Sequence, residues 1–266
     1  RSTLFPYTTL FRSRSPLYKQ CINVINSITK QSVSINLFNV YVPDQAIAVG
    51  LIYRNTTNPS YKIYKVSADE FLEIARLDEE TTYKNLFLIK PVIENTVNIP
   101  EETDYKEHSS LIALPALQNG QYYIVFSNNN SFKNYDDLVY STFQVSNLSY
   151  FHVDTDENTN IYVVNRETST PMKDVVAHFS ERNYSYKSGT YERTVIGDVT
   201  SDKDGFLTAP DLNKSVYVDL YYHNDTLIST ALVNLYRYNN YDDTKIRSTI
   251  FTRSRSEERR VGKECR

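Results

Sequence analysis

The segment SVYVDLYY, residues 215–222, carries the pattern that decides the predicted fold. Val216, Val218 and Leu220 are apolar at every second position, and Tyr222 continues the series. This is the period of a β-strand that turns one face towards a core. The preceding turn contains Gly205, a residue that tight turns favour. The segment therefore predicts a half-buried strand that follows a turn.

Similar short apolar runs recur along the chain, with polar turn-forming residues between them. The predicted strands are residues 33–37, 46–53, 61–66, 111–117, 122–126, 138–145, 161–164, 175–179, 194–199, 216–222 and 227–236. Asn119 and Gly120 form a pair that hairpins favour. Short strands that alternate with turns in this way are typical of antiparallel β-sandwiches. The sequence therefore predicts an all-β fold of two tandem antiparallel β-sandwich domains, Ig-like or macroglobulin-like.

Two helices complete the predicted fold. Residues 16–30 repeat apolar side chains at helical spacing, which predicts a short N-terminal helix that includes Cys21. Ser67 and Glu70 have the spacing of a capping box, in which each side chain binds the other residue's backbone N–H. They predict one helical insertion within the first sandwich. Cys21 is interpreted as a helix-face residue rather than a reactive thiol.

The two ends of the chain read as translated sequencing adapter. Residues 3–13 and 255–265 can be back-translated into one oligonucleotide and its reverse complement. We therefore expect an interior fragment of a longer reading frame and exclude the ends from fold reasoning. The predicted layout is adapter artefact 1–13, the end of a preceding helical segment 14–31, a first macroglobulin-like β-sandwich 32–146, a second 147–240, the start of a next domain 241–254 and adapter artefact 255–266. The junction residues are left unassigned: Arg14, Ser15, Arg253 and Ser254.

Charge and hydropathy narrow the function classes. The whole chain carries −3, and residues 1–13 and 255–266 contribute +2 each, so the span 14–254 stands at −7. An acidic span argues against nucleic acid as a partner, because phosphate needs Lys and Arg to neutralise it. No apolar run approaches the roughly 20 residues that a membrane-spanning helix needs. Cys21 is the one cysteine outside the adapter, so no internal disulfide is predicted.

Residues of catalytic type are scattered, so we predict no catalytic, cofactor-binding or metal residues and no cofactor. The four histidines stand alone in the sequence: His108, His152, His178 and His223. The pairs Asp136–Asp137 and Asp242–Asp243 are adjacent, and on strands they would point to opposite faces.

The acidic turn at residues 202–205 could be mistaken for a calcium site. Asp202, Asp204 and Gly205 resemble the start of a calcium loop, but Asn213 stands where that loop needs a bidentate acid. A plain β-turn is predicted there. The glycosylation-type tripeptides are attributed to chance in an asparagine-rich chain; they begin at Asn55, Asn129, Asn147, Asn183, Asn213 and Asn224.

Several motifs together resemble one family. They are Tyr53-Arg54-Asn55, the run Tyr61 to Val66, Leu114 to Leu117 with Gly120 and Tyr122, Val145 to Ser149, Val164 to Thr168 with Pro171-Met172, Thr200 to Phe206, and Ser248 to Thr252. In this order they resemble the early macroglobulin-type domains of bacterial alpha-2-macroglobulin family proteins, especially those of Bacteroidetes. The family's turn usually reads Asp-Arg-Glu-Thr-Gly. Here Asn165 replaces the aspartate, and Ser169-Thr170 stand where glycine and a variable residue are usual.

The resemblance implies a large envelope-associated protein that traps proteases. Cleavage of a bait region triggers its collapse around the attacker, sometimes with a Cys-Gly-x-Gln thioester. Neither the bait region nor the thioester can be mapped onto this chain. Cys21 has no matching glutamine, so it does not fit the thioester motif. The expected role is therefore a non-enzymatic scaffold, located in the periplasm, cell envelope or outside the cell. Proteases would be partners through other parts of the parent protein, and a membrane only through a lipid anchor outside this fragment.

Two other classes stay open. The Pro-Met and Asp-Gly-Phe turns are shared by many extracellular Ig-like domains. The chain can therefore also be read as tandem Ig-like modules of a surface adhesin or glycan-binding envelope protein. A third reading is an accessory domain of a secreted hydrolase.

Overall fold

The computed structural model of the chain describes residues 16–56, 58–100, 102–154, 159–186, 189–208, 214–235 and 247–249, the last of these by backbone alone. Both predicted adapter segments and the four junction residues lie outside the described residues, as do Asn213 and the pair Asp242–Asp243. Within the described residues the fold class is confirmed: the chain is mostly antiparallel β-structure with three short helices.

The helices and strands are defined as follows. The helices are α1 (Pro16–Thr29), α2 (Ala68–Ile74) and α3 (Glu79–Leu86). The strands are β1 (Ser32–Asn36), β2 (Val40–Tyr41), β3 (Ile47–Arg54), β4 (Ser60–Val66), β5 (Ile93–Thr96), β6 (His108–Leu114), β7 (Gly120–Ser127), β8 (Leu138–Val145), β9 (Leu148–Asp154), β10 (Thr159–Asn165), β11 (Val176–Ser185), β12 (Thr190–Thr200), β13 (Phe206–Thr208), β14 (Ser215–Tyr222), β15 (Asp225–Leu227), β16 (Val233–Asn234) and β17 (Arg247–Thr249). None of the helices in the described ranges has the length and apolar character that crossing a bilayer requires.

The chain divides into two compact units. Among the described residues, those of the first unit lie within 1–39, 46–116 and 121–143, and those of the second lie within 40–45, 117–120 and 144–266. Backbone residues 247–249, assigned from sequence to the start of a next domain, pair antiparallel with β9. The domain bounds given by the sequence stay predictions beside this division.

The first unit contains two sheets. One has the order β1-β3-β6, and the other contains β8, β7, β4 and β5 in that order; only residues 138–143 of β8 belong to this unit. Strand β7 is buried on both faces, which explains why its sequence is continuously apolar rather than alternating. On one of these faces Tyr123 contacts Phe71 of α2, with their ring centroids 5.7 Å apart. Helix α2 therefore covers a sheet face that water would otherwise reach.

The helical insertion has two helices where the sequence predicts one. The capping box that begins α2 is confirmed: the Ser67 backbone N–H donates to Glu70 (2.8 Å), and the Glu70 N–H donates to the Ser67 hydroxyl (3.2 Å). Asp78 caps α3 by accepting the Thr81 N–H at 3.0 Å. Tyr83 of α3 is fully buried against Tyr140 of β8. The second helix therefore extends the cover over the same sheet.

The second unit packs two sheets of orders β13-β10-β9-β17 and β12-β11-β14-β15, and β16 pairs with β14. The predicted alternation is confirmed, because Val216, Val218 and Leu220 are each 0% exposed. They pack in one core with Phe179 of β11 and Ile161 of β10. The two sheets therefore share one apolar interior, as a β-sandwich requires.

Candidate functional site

The turn between β10 and β11 is built around Asn165. Its side-chain oxygen accepts the backbone N–H groups of Glu167 (2.9 Å) and Thr168 (3.0 Å). An aspartate oxygen would accept the same two bonds, so the Asn165 departure from the family motif keeps the turn. Ser169 has φ of 60°. That left-handed conformation explains why glycine is usual at this point of the motif.

Arg166, at the start of this turn, holds the beginning of β9. Its Nε and Nη2 donate to the Leu148 carbonyl oxygen at 3.1 and 2.7 Å. Its backbone N–H donates to the Asn147 carbonyl oxygen at 2.6 Å. Burial lowers the pKa of Arg166 to about 10, because the charged guanidinium has lost most of its water. A side chain in the second unit therefore binds the backbone through which the chain enters β9.

Asp225 binds the same segment from β15. Its Oδ2 accepts the Asn147 backbone N–H at 2.8 Å. Burial raises the pKa of Asp225 above its ordinary value, and the bonds it accepts together with the charge of Arg166 oppose that rise. The two charged groups thus hold Asn147 and Leu148 through backbone atoms.

Gln144 completes this arrangement at the end of β8. Its Nε2 donates to the Ile228 carbonyl oxygen and its Oε1 accepts the Ile228 N–H, both at 2.8 Å. Gln144 is 2% exposed. We call Gln144, Arg166 and Asp225 the clamp residues. Together they fix residues 144–148 within the second unit.

A buried ion pair lies on the neighbouring sheet. Arg193 Nη1 is 3.2 and 3.3 Å from the two carboxylate oxygens of Asp219, and Nη2 donates to the Ser229 carbonyl oxygen at 2.6 Å. The Asp219 Oδ1 also accepts the Ser229 N–H at 2.7 Å. Burial raises the pKa of Asp219, and the charge of Arg193 opposes the rise. The pair fastens residue 229 to the sheet in the same way as the clamp residues fasten 144–148.

The buried charged groups are engaged in hydrogen bonds within the fold. The guanidinium of Arg166 is engaged with a backbone carbonyl, and that of Arg193 with both a carboxylate and a backbone carbonyl. Each buried acid accepts at least one backbone N–H. These bonds stabilise the conformation of the backbone that the groups contact.

The histidines named from the sequence lie apart. His108 Nε2 is 2.9 Å from Asp104 in the first unit, while the His178 ring lies against Tyr221 in the second. His152 is on β9, and His223 is a turn residue with φ of 52°. Among the described residues no three His, Cys, Asp or Glu side chains form a group that could hold a metal ion. Cys21 is on α1, where its side chain is exposed.

The two acidic features have different outcomes. The turn predicted at Asp202 is confirmed, because its Oδ1 accepts the N–H groups of Asp204 and Phe206, both at 2.9 Å. Asp136 and Asp137 are not on a strand, so the argument that they would point to opposite faces does not apply. They form a 3-10 turn, since the Asn134 side chain accepts the Asp136 N–H and donates to the Asp137 carboxylate.

The sequence reasoning assigned no partner to the clamp residues or to the buried pair, although Arg166 belongs to the quoted turn motif. Asp219 had a usable signal, since it is a charged residue within the apolar segment SVYVDLYY. A buried charge requires a partner, so a cation facing β14 could have been expected. Gln144 and Ile228 are 84 residues apart, and no local pattern connects them.

Comparisons with known proteins bear on the fold. No protein-family model matches the chain. No curated protein sequence matches it significantly. A crystal structure of native alpha-2-macroglobulin from Escherichia coli spanning domains NIE-MG1 matches at a TM-score of 0.53 and 12% identity, covering 77% of this chain and 97% of that one. A structure of the same protein spanning MG0-NIE-MG1 gives the same TM-score and identity, and the match spans 64% of its length. At this identity the likeness establishes a fold, that of the NIE-MG1 region of a bacterial alpha-2-macroglobulin.

Proposed function

We propose that this chain is a scaffold portion of an alpha-2-macroglobulin-like endopeptidase inhibitor that traps proteases in the bacterial envelope. The observation that carries the proposal is the match to the NIE-MG1 structure, which covers 97% of that chain. The motif resemblance supports it independently, since it was found in the residues alone. Asn165 and Arg166 of the family's turn motif both make specific contacts in this fold.

The clamp residues suit a scaffold. A protein that positions later domains must hold its connecting segments in one conformation. Charge-assisted bonds from Arg166 and Asp225 to buried backbone are among the stronger hydrogen bonds available for this. On this proposal the chain is not itself an enzyme, and its buried acids serve to fix backbone.

The proposal extends to the parent protein. Proteases would bind through other parts of it, in the periplasm, at the cell envelope or outside the cell. Membrane attachment would occur only through a lipid anchor elsewhere in the parent, which we place among the Bacteroidetes-type members of the family.

The test uses the full-length parent protein. A protease would be incubated with it and then assayed on a small chromogenic peptide and on a large protein substrate. We expect activity on the peptide to persist while activity on the large substrate falls, because a trapped protease is shielded by size. The matched control is the parent that lacks residues 32–240, which we expect not to shield. Equal loss or equal retention of both activities in the intact parent would overturn the proposal.

One observation favours the second reading, a surface adhesin or glycan-binding protein of tandem Ig-like modules. The first unit has a cleft lined by amide and hydroxyl side chains, described below. The parent reading frame separates the two readings. Repeated copies of the second unit downstream would support the adhesin, whereas an Arg-x-x-Tyr-Arg-Pro-Gly-like strand after Thr252 would support the inhibitor.

A further inference from the structure

The first unit contains a cleft of about 400 Å³ at one end of its second sheet. Three places in the fold contribute to it: the turn between β3 and β4, the end of β5 and the turn that follows β7. The described lining residues are Thr56, Asn58, Thr96, Asn128, Asn129 and Asn130. This volume is within the range of roughly 300–1,000 Å³ typical of small-molecule sites.

The lining is polar and uncharged. The described residues present four carboxamides and two hydroxyls, and none of them carries a charge. Several of these groups already bond within the protein, and a neutral ligand with hydroxyl groups can use their remaining donor and acceptor positions, whereas an ion would find no opposite charge among them. The lining therefore fits a neutral ligand that has several hydroxyl groups.

Much of the lining is fixed in advance. The Ser60 hydroxyl is 2.8 Å from the Thr96 hydroxyl and 2.8 Å from the Asn130 Oδ1. The Asn129 Oδ1 accepts the Ser131 N–H at 3.1 Å, which holds the turn after β7. Donors and acceptors held in this way bind a ligand without a large entropy cost.

Asn128 supplies a second, independent observation. It is 4% exposed, and its Nδ2 donates to the Gln31 carbonyl oxygen at 3.3 Å. Its Oδ1 is buried and has no hydrogen-bond partner among the residues that the structure describes. A buried acceptor without a donor is unfavourable by about 1–3 kcal/mol. A ligand hydroxyl would remove the cost once the Asn128 side chain turns this oxygen towards the cleft, because the oxygen itself has almost no exposed surface.

We propose that this cleft binds a neutral monosaccharide or disaccharide through its hydroxyl groups. The Asn128 Oδ1 accepts one ligand hydroxyl, while the Asn130 amide and the Thr96 hydroxyl bind others. Because hydrogen bonds supply most of the affinity, dissociation constants near 1 mM are expected. The site lies wholly in the first unit and does not depend on the proposed inhibitor function.

The test is a titration of the isotope-labelled full chain, followed by two-dimensional NMR of backbone and side-chain amides. The probes are maltose, cellobiose and N,N′-diacetylchitobiose, with glucose 6-phosphate as a charged counterpart. We expect saturable shifts of the amide signals of residues 128–130 with at least one neutral disaccharide and no saturable shift with the phosphate. No shift with any neutral probe at about 20 mM, or equal binding of the charged probe, would overturn the proposal.

Two variants test the assigned side chains. Asn130 has φ of 59°, so Asn130→Gly removes the amide while keeping a backbone conformation that glycine adopts freely. Thr96→Val removes a hydroxyl at nearly constant volume. Each is expected to weaken binding by about fivefold or more, the loss of roughly one hydrogen bond. Ser169→Gly is the matched control, since Ser169 has φ of 60° in the second unit. Unchanged affinity in both test variants would exclude the assigned site.

Discussion

The buried pair between Arg193 and Asp219 should make the second unit sensitive to loss of the cation alone. The two side chains are 16% and 8% exposed, so water screens them little. Arg193→Met removes the charge but leaves Asp219 buried, and breaking one side of such a pair costs about 3–5 kcal/mol. The lost stacking of the Arg193 guanidinium on Tyr217, at 3.7 Å from the ring centroid, adds to this.

The cost should depend on pH in a defined direction. Burial already raises the pKa of Asp219 in the folded state, and Arg193→Met removes a charge that opposes the rise. A carboxyl whose folded-state pKa is raised destabilises the fold once it ionises. Its proton-linked stability is present below the unfolded pKa and is lost as pH rises through the folded pKa. The variant should therefore be less stable at neutral pH and regain stability as the solution is acidified towards the ordinary pKa of an aspartate.

Hydrogen exchange followed by mass spectrometry can measure this locally. At about 1.4 kcal/mol per factor of ten, amides of β11 and β14 whose exchange requires opening of this sheet should exchange about two to three and a half orders of magnitude faster. The control is Lys84→Met, which breaks a 2.6 Å pair with Glu80 whose side chains are 58% and 62% exposed. It should cost far less than Arg193→Met, because water screens an exposed pair. If the two variants cost the same, or if Arg193→Met costs under about 1 kcal/mol, burial is not what gives the pair its importance.

Two further predictions concern the turns and the aromatic core. Gly205→Ala should destabilise the second unit by about 2 kcal/mol or more in urea denaturation, because Gly205 has φ of +73° and a Cβ there would lie 2.4 Å from the Val163 carbonyl oxygen. The control is Gly197→Ala, which should be nearly neutral because a Cβ at this position meets nothing within 4 Å. Equal losses in the two variants would contradict the conformation described for Gly205. Burial raises the pKa of Tyr122 from 10.0 to about 12. Between these two pH values Tyr122 should therefore stay protonated in the folded first unit but be ionised in the unfolded chain. The associated stability is complete below pH 10 and is lost as pH rises through the folded pKa, which urea midpoints and the NMR signals of the Tyr122 ring should show together; ionisation of Tyr122 itself at pH 10 without unfolding would count against it.

The sequence predicted strands best where one face of the strand is buried and the other face is exposed to water. Val216 and Val218 alternate with more exposed residues because β14 has one face in the core, and the period was readable for that reason. Strand β7 was recognised by its apolar character, but nothing in that run could reveal which elements cover its two faces. The cover includes α3, whose start was signalled by Asp78 and the acidic first turn that follows it.

The candidate site was harder to predict from the sequence, because its contacts join residues that are far apart in the chain. Gln144 and Ile228 meet only when β8 and the segment after β15 are in their folded places, and strand pairing cannot be read from one sequence. Asn165 and Arg166 were noticed as parts of a motif, yet the motif gave no partner for either. Polar residues that bind distant backbone leave no periodic signature, unlike apolar residues on a strand.

The clamp residues have a consequence for how this fold can diverge. Most partners of the clamp residues are main-chain groups: the N–H of Asn147, the carbonyl of Leu148, and both groups of Ile228; Asp225 also bonds the Ser146 side chain. A main-chain carbonyl is present in every residue, and a main-chain N–H in every residue except proline. Substitution at Asn147, Leu148 or Ile228 by any residue other than proline therefore leaves these bonds available, whereas the clamp residues and Ser146 are tied to residue type. A connection built in this way can keep its geometry while most of its neighbours mutate, which is compatible with two folds that match at 12% identity.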